Sequence, residues 1–319
     1  MICSTCKHET YKKHGHDRHG NQRYRCLLCG VTWVPDQPKP LGDMRIDKKD
    51  AILCLRMLLE GNSIRTTERL TGVNRNTIMS LLTLVGIRAQ EYWTNRMVGL
   101  HAKNVQVDEV WGFVGCKDKT RQRLGRKDEC GDAYCFLAIE RDTKLLLSWH
   151  VGKRDINDTR WFADKFRRAT AGRFQVTTDG FKPYCTTLPE AFMGQLDFGQ
   201  LIKIYGRGED GSNGRYSPSE IKTTRKRTMW GNPDKAQICT SHVERCNLSI
   251  RMGVRRMTRL TNAFSKKWEN HEAHLALYFL YYNFCRVHAT RKTTPAVAHG
   301  LTDRVWSIER LLDELATQS

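Results

Sequence analysis

The chain has 319 residues, with 53 Lys or Arg against 34 Asp or Glu, a formal net charge of +19 and a pI near 9.6. That excess calls for a partner of dense negative charge, most simply nucleic acid, with an anionic membrane as the competing partner. The start lacks a secretory pattern and no run of about 18 apolar residues occurs, which argues against a membrane span and for a cytoplasmic protein.

Of the twelve cysteines, four form the pairs Cys3-x-x-Cys6 and Cys26-x-x-Cys29, and the other eight are scattered singly. Each pair can clamp one side of a tetrahedral ion, and four thiolates so spaced suit one structural zinc. Gly30 permits the tight turn after the second pair. A segment this short has no proper core, so the metal supplies its folding energy. Between the pairs, His8, His14, His16 and His19 lie in a basic loop with Lys12, Lys13, Arg18 and Arg23. That loop is either a phosphate contact or a protein-binding surface.

Pro35, Pro38 and Pro40 mark a linker. Ile52, Leu55, Leu58 and Leu59 then recur at helical spacing over 48–60. Ser63 caps a short helix that Gly72 breaks, and Asn74 caps a third through Ile78, Leu81, Leu82 and Val85. Helix, short helix, glycine turn and helix is the helix-turn-helix layout. It puts Arg75, Asn76 and Thr77 at the start of a recognition helix, where side chains reach base edges. An ordinary helical connector has the same pattern.

Val105 to Trp111 reads as a strand carrying Asp108. The basic segment 117–127 reads as a hairpin or loop. Strands follow over 134–139 and 145–151, then a helix over 158–169 burying Trp161, Phe162 and Phe166. A short strand ends at Asp179-Gly180. A helix after Pro183 and a strand over 201–205 complete the order of a ribonuclease-H-like α/β core. The glycine-rich stretch 207–230, with Arg225, Lys226 and Arg227, reads as a mobile loop or a phosphate-contacting arm. Glu244, Leu248, Arg251 and Arg255 share one face of a helix from Ser241. Arg251, Arg255, Arg256 and Arg259 belong to a stretch rich in Arg and Lys that suits a DNA backbone. A helix over 269–285, the cluster Asn283, Arg286 and His288, and a final helix over 303–315 end the chain.

Asp108 and Asp179 at strand ends and Glu244 on a helix can meet in one cleft. Three carboxylates there repel one another without cations, and two Mg2+ ions, with Mn2+ as a possible substitute, resolve this. Asp108 bridges both ions, and Asp179 and Glu244 hold one each. Such a site runs in-line phosphoryl transfer. Spacing among acids is not specific, however, and ordinary surface or capping roles compete. Glu109 is a rival ligand, although strand alternation turns it away from Asp108. Asp155, Glu190, Asp197 and Glu209 are weaker rivals.

Taken together and in order, these pieces resemble the bacterial insertion-sequence transposases of the DDE type, in the group of very short elements with an N-terminal zinc ribbon. The matching segments are Cys3 to Cys29, 107–111, 178–180, 242–247, 258–267 and 282–288, so the resemblance runs along nearly the whole chain. It implies a ribonuclease-H-like catalytic domain that cleaves element ends and joins 3′-OH ends to target DNA. It assigns the three acidic roles to Asp108, Asp179 and Glu244, and it places Arg286 and His288 near the site as support. It also implies double-stranded DNA partners, both element ends and target, a homo-oligomer of two or more protomers, and a nucleoid-associated location. The expected division is a zinc ribbon over 1–34, a helix-turn-helix over 45–90, the catalytic domain over 101–290 and a helical segment over 291–319. A non-enzymatic zinc and helix-turn-helix regulator, or a metal-dependent nuclease without strand transfer, are the alternatives.

Overall fold

The computed structural model describes residues 1–18, 20–35, 39–126, 129–205 and 221–317. It is mixed α/β and divides into two compact units, Met1–Pro40 and Leu41–Ser319.

In the first unit, β1 (Tyr11–His16), β2 (Gln22–Cys26) and β3 (Thr32–Trp33) form an antiparallel sheet. Tyr11, Tyr24 and Trp33 pack ring against ring on it, at centroid distances of 5.3 to 6.2 Å. Two matching turns carry the cysteines. The Cys3 amide donates to the His8 carbonyl and the Cys26 amide to the Val31 carbonyl, and Lys7 and Gly30 close the turns at φ of 60° and 74°. Lys7 thus does the work expected only of a glycine.

The second unit opens with α1 (Lys48–Leu59), α2 (Ile64–Thr71) and α3 (Arg75–Arg96), capped by the side chains of Asp47, Ser63 and Asn74. Gly72 ends α2 at φ 74°, left-handed backbone that favours glycine. β4 (Leu100–His101) and β8 (Thr170–Ala171) pair in parallel as a separate two-stranded sheet. The main sheet contains β5 (Asn104–Val114), β6 (Gly131–Glu140), β7 (Leu146–Gly152), β9 (Gln175–Thr178), β10 (Asp197–Tyr205) and β11 (Ile221–Trp230). Their order is β11-β10-β9-β5-β6-β7. β5, β6 and β7 are mutually antiparallel, β9 is parallel to β5 and β10 is parallel to β9. Between them come α4 (Asp118–Arg123), α5 (Ile156–Ala169) and α6 (Tyr184–Ala191). Then follow α7 (Ser241–Gly253), α8 (Trp268–Leu280), a π-turn over Tyr281–Cys285, α9 (Pro295–His299) and α10 (Ile308–Ala316).

One core joins the sheet to the helices, since Ile78, Leu81 and Val85 of α3 belong to the same buried cluster as Val107, Phe136 and Leu277. α3 packs on α8 so closely that a Cβ on Gly86 would lie 2.4 Å from the Ala273 carbonyl oxygen. Tyr92 and Phe284 close on Trp306, which ties the C-terminal segment to α3.

Several expectations change. Within 117–127, residues Asp118–Arg123 form helix α4, not a hairpin or loop. The part of 207–230 that is described, Ile221–Trp230, is an edge strand paired to β10. Residues 206–220, Glu209 among them, and His19 lie outside the described residues. Trp161 is 63% exposed, not buried, because α5 turns Phe162 and Phe166 inward instead. The last helix begins at Ile308, where Ser307 supplies its cap. Cys116 and Cys130, scattered in sequence, bring their sulfurs to 3.5 Å.

Candidate active site

β5 and β9 pair in parallel register from Asn104↔Gln175 to Val107↔Thr178. Asp108 and Asp179 are the next residue on each strand, so the last rung sets their carboxylates side by side. Asp179 then starts a turn, with its Oδ1 accepting the Phe181 amide at 2.9 Å. The Asp179 carbonyl accepts Gln200 Nε2 at 2.8 Å.

Glu244 reaches the same place from the first turn of α7. Gln106, 2% exposed between Val105 and Val107, accepts the His242 and Val243 amides on its Oε1 at 2.9 and 3.0 Å. Two of the helix's orphan donors are thereby satisfied from the strand that carries Asp108. Asn247, one turn beyond Glu244, donates Nδ2 to Asp108 Oδ2 at 2.8 Å. Glu244 itself accepts the Thr240 hydroxyl at 2.6 Å and forms an ion pair with Lys203.

Asp108, Asp179 and Glu244 line one cleft of about 720 Å³, together with Arg154, Lys182 and Lys203. One oxygen from each of Asp108, Glu109 and Asp179 lies within 4.8 Å of the other two. Strand alternation was expected to turn Glu109 away; Glu109 does not line the cleft, yet its carboxylate still comes this close to those of Asp108 and Asp179. β9 ends opposite Val107, and Arg154 stands between the carboxylates of Glu109 and Asp179. The Arg154 Nε donates to Glu109 Oε2 at 3.0 Å, and its Nη2 stands 3.9 Å from Asp179 Oδ2. Glu109 Oε1 and the Tyr184 hydroxyl are both buried, and each is the polar neighbour of the other.

Burial, then the charges of Glu109 and Asp179, push the Asp108 carboxyl up to about 8. Burial also raises Glu109, against the pull of Tyr184 and Arg154. Carboxylates held this way want a cation, and their hard oxygens suit a divalent one. A set of three within reach of one another, with a fourth acid on the same cleft, fits such an ion.

The other expected residues distribute unevenly. Arg75 and Asn76 are exposed at the start of α3, with Thr77 partly so. Arg225, Lys226 and Arg227 stand exposed on β11, though Lys226 Nζ donates to the Lys235 carbonyl at 2.7 Å. Arg255 and Arg259 are exposed. Arg251 turns back to the Met257 carbonyl at 2.9 Å, and burial brings its guanidinium down to about 10. Arg256 must be removed from the DNA-facing set. It is 6% exposed, donating Nη1 to Ser265 Oγ at 3.1 Å and to the Asn270 carbonyl at 2.8 Å. Arg286 donates to the Tyr278 hydroxyl at 3.1 Å, and His288 packs edge-on against Tyr282. Neither lines the carboxylate cleft. Gln106, Asn247, Lys203 and Arg154 were not anticipated. Asn247 had a usable signal, since it sits three residues after Glu244 on one helix face. Gln106 had one too, as a lone amide among valines. Lys203 and Arg154 had none.

In the first unit, all four Sγ atoms of Cys3, Cys6, Cys26 and Cys29 lie within 4.8 Å of one another. The Cys3–Cys29 and Cys6–Cys26 sulfurs are 3.6 and 3.5 Å apart. A tetrahedral zinc at about 2.3 Å from each thiolate requires sulfurs about 3.8 Å apart, so the cage fits that ion.

No family model and no curated protein matches the chain. Among solved structures it is similar to the piggyBac transposase in a cryo-EM structure of its synaptic complex with hairpin DNA. The TM-score is 0.38 at 10% identity, covering 85% of this chain and 71% of that one. A likeness of this degree leaves the chemistry to be read from the residues themselves.

Proposed function

We propose that this chain is a DDE-type DNA transposase that cleaves element ends and joins their 3′-OH groups to target DNA. The observation that carries the reading is the convergence of Asp108, Asp179 and Glu244 on one cleft, from the middle of β5, the end of the parallel strand β9 and the first turn of α7. Three antiparallel strands followed by two parallel ones, with the first strand central, support a ribonuclease-H-like core.

Asp108, Asp179 and Glu244 would hold two Mg2+, or Mn2+ in its place. When bound, such ions activate the attacking oxygen and stabilise the leaving one. The chain's own groups do the rest. Lys182 and Lys203 at the cleft wall attract the phosphodiester, and Asn247 holds Asp108 in place. Attack by water forms a new P–O bond, breaks the P–O3′ bond and leaves a free 3′-OH. Attack by that hydroxyl on target DNA repeats the displacement with a different nucleophile. Recognition of the element ends falls to Arg75, Asn76 and Thr77 on α3, and general phosphate contact to Arg225, Arg227, Arg255 and Arg259.

Asp108→Asn, Asp179→Asn and Glu244→Gln should each lower Mg2+-dependent cleavage and strand transfer at least about a thousandfold, while DNA binding stays intact, since each loses a ligand needed in the transition state. The assay is a labelled element end with target DNA, run beside a binding measurement. A folded variant that keeps full activity removes its residue from the site. Cleavage by the unaltered chain without joining would establish the simple nuclease instead.

A further inference from the structure

β5 continues past the cleft with a second pattern. Val110, Gly112 and Val114 are buried, while Trp111 and Phe113 alternate with them and remain partly exposed, beyond the buried side chain of Glu109. Successive residues of a strand face opposite sides, so Trp111 and Phe113 extend the face that begins at Glu109. Their rings lie 5.8 Å apart at 34°, and Phe113 continues to Phe264 at 4.9 Å and 36°. Tyr134 stands opposite Trp111 in the β5–β6 register. The Arg154 guanidinium lies 5.9 Å from the Tyr134 ring and 4.1 Å from that of Phe181, which lines the cleft. Lys117 Nζ sits 5.3 Å from the Trp111 ring and 5.9 Å from the Phe113 ring. Lys266 and Lys267 are exposed just after Phe264.

Core packing does not account for the whole of this row, because Trp111 and Phe113 stay partly exposed where Val105 and Val107, on the same face, are fully buried. A protein partner accounts poorly for the cations above the rings. Flat rings interleaved with cations are the chemistry that holds unpaired bases and their phosphates. From Glu109 to Phe113 the strand covers about 13 Å, room for three to four bases at about 3.4 Å each.

We propose that Trp111, Phe113 and Phe264, with Lys117, form a stacking platform for unpaired DNA nucleotides flanking the reacting phosphate. This rests on the phosphoryl-transfer reading of the cleft. It adds that the substrate is frayed or single-stranded on one side of the cut.

The test uses the full chain, free of divalent ions, and a fluorescent duplex that is either blunt or extended by a few unpaired nucleotides on one strand or the other. One extension should tighten binding by about tenfold through stacking. The pair Trp111→Ala and Phe113→Ala should erase that gain while blunt-duplex affinity stays within about twofold, and Trp111→Phe should keep most of it. A wild-type chain indifferent to both extensions, or a double variant that keeps the gain, overturns the proposal. If the double variant does not fold, Trp111→Leu and Lys117→Glu carry the same comparison. Magnesium-dependent cleavage by the wild type is scored separately. Cleavage without extension dependence sinks the platform alone, and extension dependence without cleavage sinks the transferase reading alone.

Discussion

Arg256 and Arg259 show how differently two neighbouring arginines serve one chain. Arg259 is exposed, whereas Arg256 is 6% exposed and stitches the 254–270 segment through Ser265 and Asn270. Replacing Arg256 with alanine leaves a buried hydroxyl and a carbonyl without their donor. The loss should be about 1.5–3 kcal/mol for each charge-assisted bond. Arg259→Ala should change stability by no more than about 0.5 kcal/mol and should instead weaken DNA binding and reduce its salt dependence. Urea unfolding of the two variants distinguishes the roles, and equal midpoints would contradict them.

At the scale of elements, the joint between β5 and α7 sets where Glu244 stands. Gln106 Oε1 caps the helix while its Nε2 is buried without a partner, so the residue is placed there for its oxygen. Gln106→Leu keeps the volume and removes the cap, at a cost of about 1 kcal/mol. It should lower kcat more than it raises KM, since Glu244 shifts while the arginines proposed to contact DNA do not. Gln106→Glu, which restores an acceptor, should recover part of the loss. Steady-state cleavage kinetics read this out, and an unchanged kcat in Gln106→Leu would show that α7 is held by other contacts.

For the whole molecule, two buried histidines and one buried carboxyl set opposite limits of pH. Burial and then Arg256 bring His271 from 6.5 down to about 3, and His274, equally buried, is lowered as well. The unfolded chain binds protons near 6.5 that the folded chain refuses, so stability falls as pH drops below that value. The slope is up to about 1.4 kcal/mol per pH unit for each histidine. Asp108 acts the other way. Its carboxyl titrates at 3.8 when unfolded and at about 8 when folded, so its contribution is complete below 3.8 and is lost as pH rises toward 8. Without divalent ions, stability should therefore peak near pH 6.5 and decline on both sides. Urea midpoints across pH should show Asp108→Asn flattening the upper limb and His271→Gln the lower. A wild-type profile that keeps rising from pH 6.5 to 8 would contradict the Asp108 part.

The division into two units yields a further whole-molecule expectation. One zinc per chain should be found in reduced protein. Cys3→Ser or chelation should unfold residues 1–40 and leave the thermal transition of the rest in place. Metal analysis of reduced protein that finds no zinc would remove the site.

What could be read from the linear chain was local. The four-cysteine spacing, the caps at Ser63 and Asn74, the glycine at the α2–α3 turn and the strand character around Asp108 depend on near neighbours, and so they were legible. Much of the order of strands and helices followed from the same periodicities, but α4 and the edge strand β11 did not. The tertiary structure alone decided which acids meet. The last parallel rung, Val107↔Thr178, puts Asp108 beside Asp179, although 71 positions separate them in number. It also decided that the Glu109 carboxylate comes close to those of Asp108 and Asp179, and that Arg256 faces the core while Arg255 faces solvent. Charge and residue type say what a side chain is able to bind. Only burial and register, which arise from contacts far apart in sequence, determine what it reaches.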